Sequence, residues 1–267
     1  MYETIYHRPK TLAEAAELFN AGGEARYLAG GQTLIPTMKQ RLAVPSDLID
    51  IARIGELKGI SASGDAVTIG AATTHAEVAK SEAVKMAIPA LAELAGMIGD
   101  PAVRHRGTLG GSLANNDPAA DYPAVVLALD ATVHTNRRQI PAAQFFTGLF
   151  TTALEEGEII TRVAFPVPAK AAYQKFRNPA SRYAMAGVFV ARLKDGSVRV
   201  GVAGAGNKGV FRSADIEKAL GAKFSEQALA PVWIDPAGML SDIHGSAAYR
   251  ANLVKVMARR AVTAIGS

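Results

Sequence analysis

Two short segments carry residue types and spacings suited to holding a large anionic ligand. The first is Leu28-Ala29-Gly30-Gly31-Gln32-Thr33-Leu34. Adjacent glycines let the backbone reach positive φ and leave successive N–H groups unshielded by a Cβ. A helix beginning directly afterwards adds the anion preference of a helix N-terminus, while Thr33 and Gln32 supply side-chain donors. On spacing alone this segment reads first as a strand-to-helix turn and second as a phosphate site. The second segment runs from Arg106 through Thr108-Leu109-Gly110-Gly111-Ser112 to Asn115, Asn116, Asp117 and Asp121. Here a Gly-Gly pair again stands between hydroxyl residues, and two amides and two carboxylates follow. Asp117 and Asp121 are natural acceptors for ribose hydroxyls or for backbone amides; nothing in their spacing makes them a facing acid–base pair. Two such loops in one chain point to a ligand with several phosphates, held between two lobes.

The elements that must position these loops are legible from capping signals and periodicity. Thr11-Leu-Ala-Glu14 is a capping box that opens a helix from Leu12 to about Ala21. A strand at Arg26–Ala29, the first glycine pair, a helix carrying Leu34, Ile35, Met38 and Leu42, and a strand at Asp47–Ile51 complete an α/β unit. Strands at Leu57–Ser63 and Ala66–Ala71 flank the turn Ser63-Gly64-Asp65, and Thr74–Glu77 forms a second capping box. A helical stretch from Ser81 to about Met97 follows, then the second glycine loop, then strands at Val125–His134 and Ile159–Phe165. Pro166 to Lys170 reads as a boundary. Beyond it, Val188–Leu193, Asp195-Gly196 and the alternating Val198, Val200 and Val202 predict a hairpin. The closing helix is capped by Ser246 and aligns Tyr249, Leu253, Val256 and Met257. The motif Gly204-Ala-Gly206-Asn-Lys-Gly209 matches a dinucleotide fingerprint in letters only. The preceding strand belongs to a hairpin and the next helix starts late, so it reads as a plain turn.

Composition narrows the class. The chain has 267 residues, 49% hydrophobic and 20% charged, which excludes disordered and fibrous proteins. It contains no cysteine, so it can form no disulfide and ligate no thiolate zinc or cysteine-bound iron–sulfur cluster. None of its five histidines falls at a metal-pair spacing. The net charge of +5 is spread along the sequence, with Arg104-His105-Arg106 as the longest cluster, which does not predict nucleic-acid binding. The first residues lack an apolar signal region, and no apolar run approaches the ~18 residues of a membrane span, so a cytoplasmic protein without a transmembrane segment is expected.

Taken in order, these segments resemble the FAD-binding subunit of the molybdenum hydroxylases, the family of xanthine dehydrogenase and aerobic carbon monoxide dehydrogenase. Gly30-Gly31-Gln32-Thr33 is similar to the first flavin loop of that family, A-G-G-[HQ]-S, and Thr108-Leu109-Gly110-Gly111 to its T-I-G-G loop. IGAATTHAEV, GDPAVRHRGTLGG, DPAAD, FFTG, GEII and YQKFR add weak matches in the same order across nearly the whole chain. The resemblance implies an α+β fold in which a two-subdomain, PCMH-type FAD-binding domain (residues 1–168, subdomains about 1–55 and 56–168) is followed by a C-terminal α+β domain of the CO dehydrogenase flavoprotein type (169–267). It implies FAD held without a covalent bond, with molybdopterin and iron–sulfur clusters confined to a large and a small partner subunit, assembled as a dimer of heterotrimers.

Carried over residue by residue, Tyr27, Leu28, Ala29, Gly30, Gly31, Gln32, Thr33 and Leu34 would contact the pyrophosphate and ribose. Thr108, Leu109, Gly110, Gly111 and Ser112 would form the second loop. Asp121 would bind the adenosine half, Ile98 would be an apolar neighbour, Ile160 a backbone contact to the flavin pyrimidine, and Lys175 the cation beside the flavin ring, where positive charge favours the reduced anion. Tyr183 would lie near the isoalloxazine. The resemblance gives this chain no catalytic residue and no metal. His105, near the second loop, reads as a polar side chain and not as a covalent tether. Two rivals differ in class: a self-contained flavin oxidase of the vanillyl-alcohol-oxidase type, which would need its own substrate cavity and base, and a basic adaptor without cofactor.

Overall fold

The structure is a computed structural model and describes residues 1–266. Its strands form three main sheets. A parallel sheet at the N-terminus has Asp47–Asp50 between Ile5–His7 and Ala25–Leu28. The helix Leu12–Ala21 packs against it, and Thr11 accepts from the Glu14 amide at 3.1 Å as its cap. An antiparallel sheet follows in the order Ile60–Ser63, Ala66–Gly70, Ile160–Pro166, Thr132–Thr135, Gln139–Pro141. The third sheet is also antiparallel, in the order Lys170–Arg177, Ala184–Arg192, Val198–Ala203, Phe211–Arg212. Helices and antiparallel sheets are thus segregated along the chain, as an α+β fold requires.

The strand Ala184–Arg192 explains how the third sheet joins the rest. Every residue from Ala184 to Ala191 is buried, because both faces are covered. Phe189 and Ala191 pack into the main core with Tyr173 and the helix Tyr122–Ala128. Ala186, Val188 and Val190 point the other way, against the helix Ala247–Gly266. That helix begins at the expected cap, Ser246, and buries Leu253 and Met257, but its buried face also holds Arg250. The guanidinium donates to the carbonyls of Met185 and Gly204 at 2.9 Å and to Asp242 at 2.6 Å, so the charge is paired where it is buried.

Several local expectations are corrected. The run expected as a strand from Val125 to His134 is a helix over Tyr122–Ala128, and only Thr132–Thr135 is extended. The β-branched Val125 and Val126 suggested a strand, but Pro123 in the first turn and burial on all sides favour the helix. The helical stretch from Ser81 to Met97 is two helices, Glu82–Ala87 and Pro89–Gly96, because Pro89 pushes Ile88 out of helical geometry. The helix after the first glycine pair stops at Lys39, Arg41 takes a positive φ of 62°, and Leu42 is left exposed. Leu57 belongs to a 3-10 turn, and the strand starts at Ile60. By contrast, the Gly204–Gly209 segment is the turn expected: it leads into the short strand Phe211–Arg212 and only then into the helix Ala214–Ala222, which is not dinucleotide-binding geometry.

The third sheet meets the helix Tyr122–Ala128 at Gly201, where an added Cβ would lie 2.0 Å from the Ala124 carbonyl oxygen. Gly201→Ala is expected to destabilise the chain by about 1–3 kcal/mol through overpacking, read as a lowered Tm; an unchanged Tm would mean that the sheet and helix are not held in this contact.

Candidate functional site

A cavity of about 1060 Å³ opens where the three sheets converge. The strand Ala25–Leu28 delivers the first glycine pair to its wall, and the chain turns at Gly31, whose φ of 72° favours glycine. Among the described residues, the amides of Gly30, Gly31, Gln32 and Thr33 find no acceptor, and the Thr33 hydroxyl is likewise uncommitted. Four successive free donors at one edge of a cavity form an anion-binding arrangement.

The second glycine pair works differently from expectation. Gly110 and Gly111 do not take positive φ; they lie in the first turn of the helix Leu109–Asn115, capped by Thr108, which accepts from the Gly111 amide at 3.1 Å. The Leu109 amide donates to Thr73 O at 3.1 Å and the Gly110 amide to Ala71 O at 2.8 Å, so these donors are used inside the protein. The pair is small because the helix is pressed against Ala71, whose Cβ would be 2.6 Å from a Cβ at Gly110. What this segment offers the cavity is the Ser112 hydroxyl and a close-fitting wall.

Of the residues named from sequence, Tyr27, Leu28, Ala29, Gly30, Gly31, Gln32, Thr33, Leu34, Ile98, Thr108, Gly110, Gly111, Ser112, Asp121, Ile160 and Lys175 all line this one cavity, as does Tyr183. Leu109 does not: it is fully buried in the core and anchors the helix from behind. The Tyr27 ring is partly committed, stacked on Phe19 at 4.7 Å with its hydroxyl donating to Gly157 O at 3.3 Å. His105 is on the outside of the helix Pro101–Arg106 and does not line the cavity.

Asp121 and Lys175 were expected at opposite ends of a ligand, but the structure pairs them. The Lys175 ammonium donates to Asp121 Oδ2 at 2.9 Å, and their side chains are 1% and 5% exposed. Burial pushes the Asp121 carboxyl up, while the Lys175 charge and the Tyr173 hydroxyl draw it back down. The two residues therefore line the cavity at one point and not at opposite ends of it.

Two buried side chains in the wall carried no motif. Glu158 stands beside Ile159; burial would raise its carboxyl, but hydrogen bonds from Arg138, the Glu155 amide and Thr135 hold it at about 2. His75 opens the helix His75–Lys80, is 4% exposed, and has no partner for Nδ1. Its backbone amide donates to Gly107 O at 3.0 Å, which draws the imidazole under the second loop. Burial, helped by the Arg104 charge, pushes the imidazole down to about 4, so it is neutral at pH 7. The Thr74–Glu77 capping box placed residue 75 at a helix start, but nothing local showed that this start abuts Gly107.

A cavity of this size is at the upper end for small-ligand sites and suits a dinucleotide. Free backbone donors for a pyrophosphate, a Ser112 hydroxyl without a partner among the described residues and a buried cation match the donor set FAD requires. Residues 1–168 match the family described as the FAD binding domain in molybdopterin dehydrogenase, and the chain belongs to that family, the FAD-carrying medium subunits of molybdenum hydroxylases. It is 36% identical to the carbon monoxide dehydrogenase medium chain of Hydrogenophaga pseudoflava over 274 residues, covering 97% of this chain and 96% of that one. It is 36% identical over 277 residues to the nicotine 6-hydroxylase medium subunit of Paenarthrobacter nicotinovorans, covering 98% and 97%. The reconstituted CO dehydrogenase of Oligotropha carboxidovorans contains a chain that superposes with a TM-score of 0.90 at 35% identity, covering 99% of this chain and 98% of that one. The chain is therefore an oxidoreductase subunit with FAD as its cofactor.

His75 yields a pH prediction. Below the ordinary imidazole value of about 6.5 the unfolded chain takes up a proton that the folded chain refuses until about 4. Stability from this residue is full above about 6.5 and declines as pH falls toward 4. Its imidazole NMR signals should stay neutral at pH 6, and His75→Gln should flatten the loss of Tm between pH 7 and 5. Titration near 6.5 in the folded chain would contradict the buried, neutral assignment.

Proposed function

We propose that the chain holds one FAD non-covalently in this cavity and relays electrons from iron–sulfur clusters on a partner subunit to an external acceptor. The observation that carries the reading is the row of uncommitted amides from Gly30 to Thr33 at the mouth of a dinucleotide-sized cavity. These amides and the Thr33 hydroxyl bind the pyrophosphate. Thr108, Gly110, Gly111 and Ser112 wall the opposite side, Ile98 and Ile160 exclude water from the flavin ring, and Lys175 sets a positive charge beside it, oriented by Asp121. Bound FAD would supply the redox chemistry, since a flavin can accept electrons one at a time from iron–sulfur clusters and hold two for an external acceptor. We assign the FAD-binding domain to residues 1–168, in subdomains of about 1–55 and 56–168, and the covering unit, which adds Lys175 to the site, to 169–267.

The composition fits the division of labour that the family implies. With no cysteine the chain cannot ligate cysteine-bound clusters; the family resemblance supports a small iron–sulfur subunit and a large molybdopterin-binding subunit as its partners, assembled as a dimer of heterotrimers. Substrate identity belongs to the large subunit, since medium chains equally similar to this one are named for carbon monoxide and for nicotine oxidation. Among the described residues no helix is long and apolar enough to cross a membrane; we place the complex in the cytoplasm. A self-contained flavin oxidase is the less favoured reading, because the relatives that match nearly the whole chain are medium subunits of molybdenum hydroxylases.

Two measurements test the proposal on the full chain. Acid precipitation should release all yellow colour into the supernatant; colour kept in the pellet would contradict non-covalent binding. With an artificial dye as acceptor, substrates of the hydroxylase family should reduce the dye only when both partner subunits are added. Substrate-dependent reduction by the chain alone would overturn the relay in favour of the oxidase.

A further inference from the structure

Tyr173 is buried behind the cavity and does not line it. It sits two residues before Lys175 on the strand Lys170–Arg177, so both side chains project from the same face of the sheet. Its hydroxyl donates to Asp121 Oδ1 at 2.5 Å, while Lys175 donates to Asp121 Oδ2 at 2.9 Å and to the Met97 carbonyl at 3.3 Å. The carboxylate is thus shared, one donor on each oxygen. An ammonium has three hydrogens. Two are used, and the third has no acceptor among the described residues, on a side chain that lines the cavity.

The fold makes specific room for this hydroxyl. Lys175 pairs in register with Gly187, in the middle of the buried strand Ala184–Arg192, and a Cβ there would fall 2.2 Å from the Tyr173 hydroxyl oxygen. Glycine weakens a strand interior and is retained where another group must come close. The same Cβ would lie 3.0 Å from the Tyr173 Cζ, so the glycine makes room for the end of the ring and most of all for its hydroxyl.

We propose that Tyr173 is a positioning residue for the cofactor site, acting through Asp121: by sharing the carboxylate, its hydroxyl prevents Asp121 from drawing in the whole Lys175 charge and leaves the third N–H facing the cavity. This inference rests on the FAD reading above. Without the hydroxyl, Asp121 has a single donor and pulls the ammonium toward itself. The site then presents less positive charge, and the reduced form of a bound flavin is less favoured.

The test compares Tyr173→Phe, Asp121→Asn and the double variant with the wild type, each as the full chain loaded with FAD. FAD content is read from the visible spectrum, and the two-electron midpoint potential by equilibration with reference dyes. Tyr173→Phe should retain FAD and shift its oxidised-to-reduced equilibrium about tenfold toward the oxidised form, ~30 mV lower for a two-electron couple. In the Asp121→Asn background the same substitution should produce no shift, because the shared carboxylate is gone. No shift in the wild-type background, or an equal shift in both, would overturn the role of Tyr173 while leaving the FAD site standing. A wild-type chain that retains no FAD would defeat the FAD reading and this inference together. If Tyr173→Phe does not fold, Gly187→Ala, which displaces the hydroxyl but keeps the ring, is read against the same background.

Discussion

The backbone of Gly30 lies so close to Arg106 and Gly107 that a Cβ would stand 2.2 Å from the Arg106 carbonyl oxygen. That approach brings the end of a parallel strand in the first sheet against the segment leading into the second glycine pair, and the cavity exists because the two meet. The segment is fixed from its other side as well. Gly107 O accepts from the His75 amide, Leu109 donates to Thr73 O, and the Ala71 amide donates to Thr161 O at 2.9 Å on the strand Ile160–Pro166. From Gly30 to the second sheet the wall is one run of backbone contacts in which a side chain would act as a wedge. The two glycine pairs therefore have separate tasks: the first leaves donors free, and the second uses its donors to hold the wall in place.

The third sheet contributes the charge. The Asp121–Lys175 pair joins the helix-rich half to the strand Lys170–Arg177 in surroundings almost closed to solvent. Such a pair recovers its desolvation cost only with good geometry and further hydrogen bonds, and an apolar substitute of equal volume would often serve stability as well. Its retention is better explained by what it presents to the cavity: a fixed cation whose position is set by three acceptor or donor groups, at Asp121, Tyr173 and Met97. The Arg250 cluster shows the contrasting case, in which a buried cation donates to the Met185 and Gly204 carbonyls and to Asp242 and does not line this cavity.

Much of this was legible in the sequence wherever the signal was local. The helix Leu12–Ala21 and the turn at Ser63-Gly64-Asp65 follow from capping and turn chemistry that acts within a few residues. The glycine loops were found by composition, and all but Leu109 of the residues named for the site line one cavity. The failures are of two physical kinds. Val125 and Val126 have strand propensity that burial on every side overrides, so local preference lost to packing. The pairing of Asp121 with Lys175, the burial of His75 under Gly107 and the shared use of Asp121 by Tyr173 are contacts across tens of residues. No spacing rule encodes them, and so donors expected to be free at Gly110 and Gly111 were not recognised as structural.

The meeting of the two loops is tested most directly by titrating FAD into apo chains of wild type and Gly30→Ala, with circular dichroism to verify that both are folded. If the cavity depends on this contact, the added methyl group should force the loops apart and weaken FAD binding by a hundredfold or more, about 2.7 kcal/mol. A folded Gly30→Ala chain that binds FAD as tightly as wild type would contradict the account.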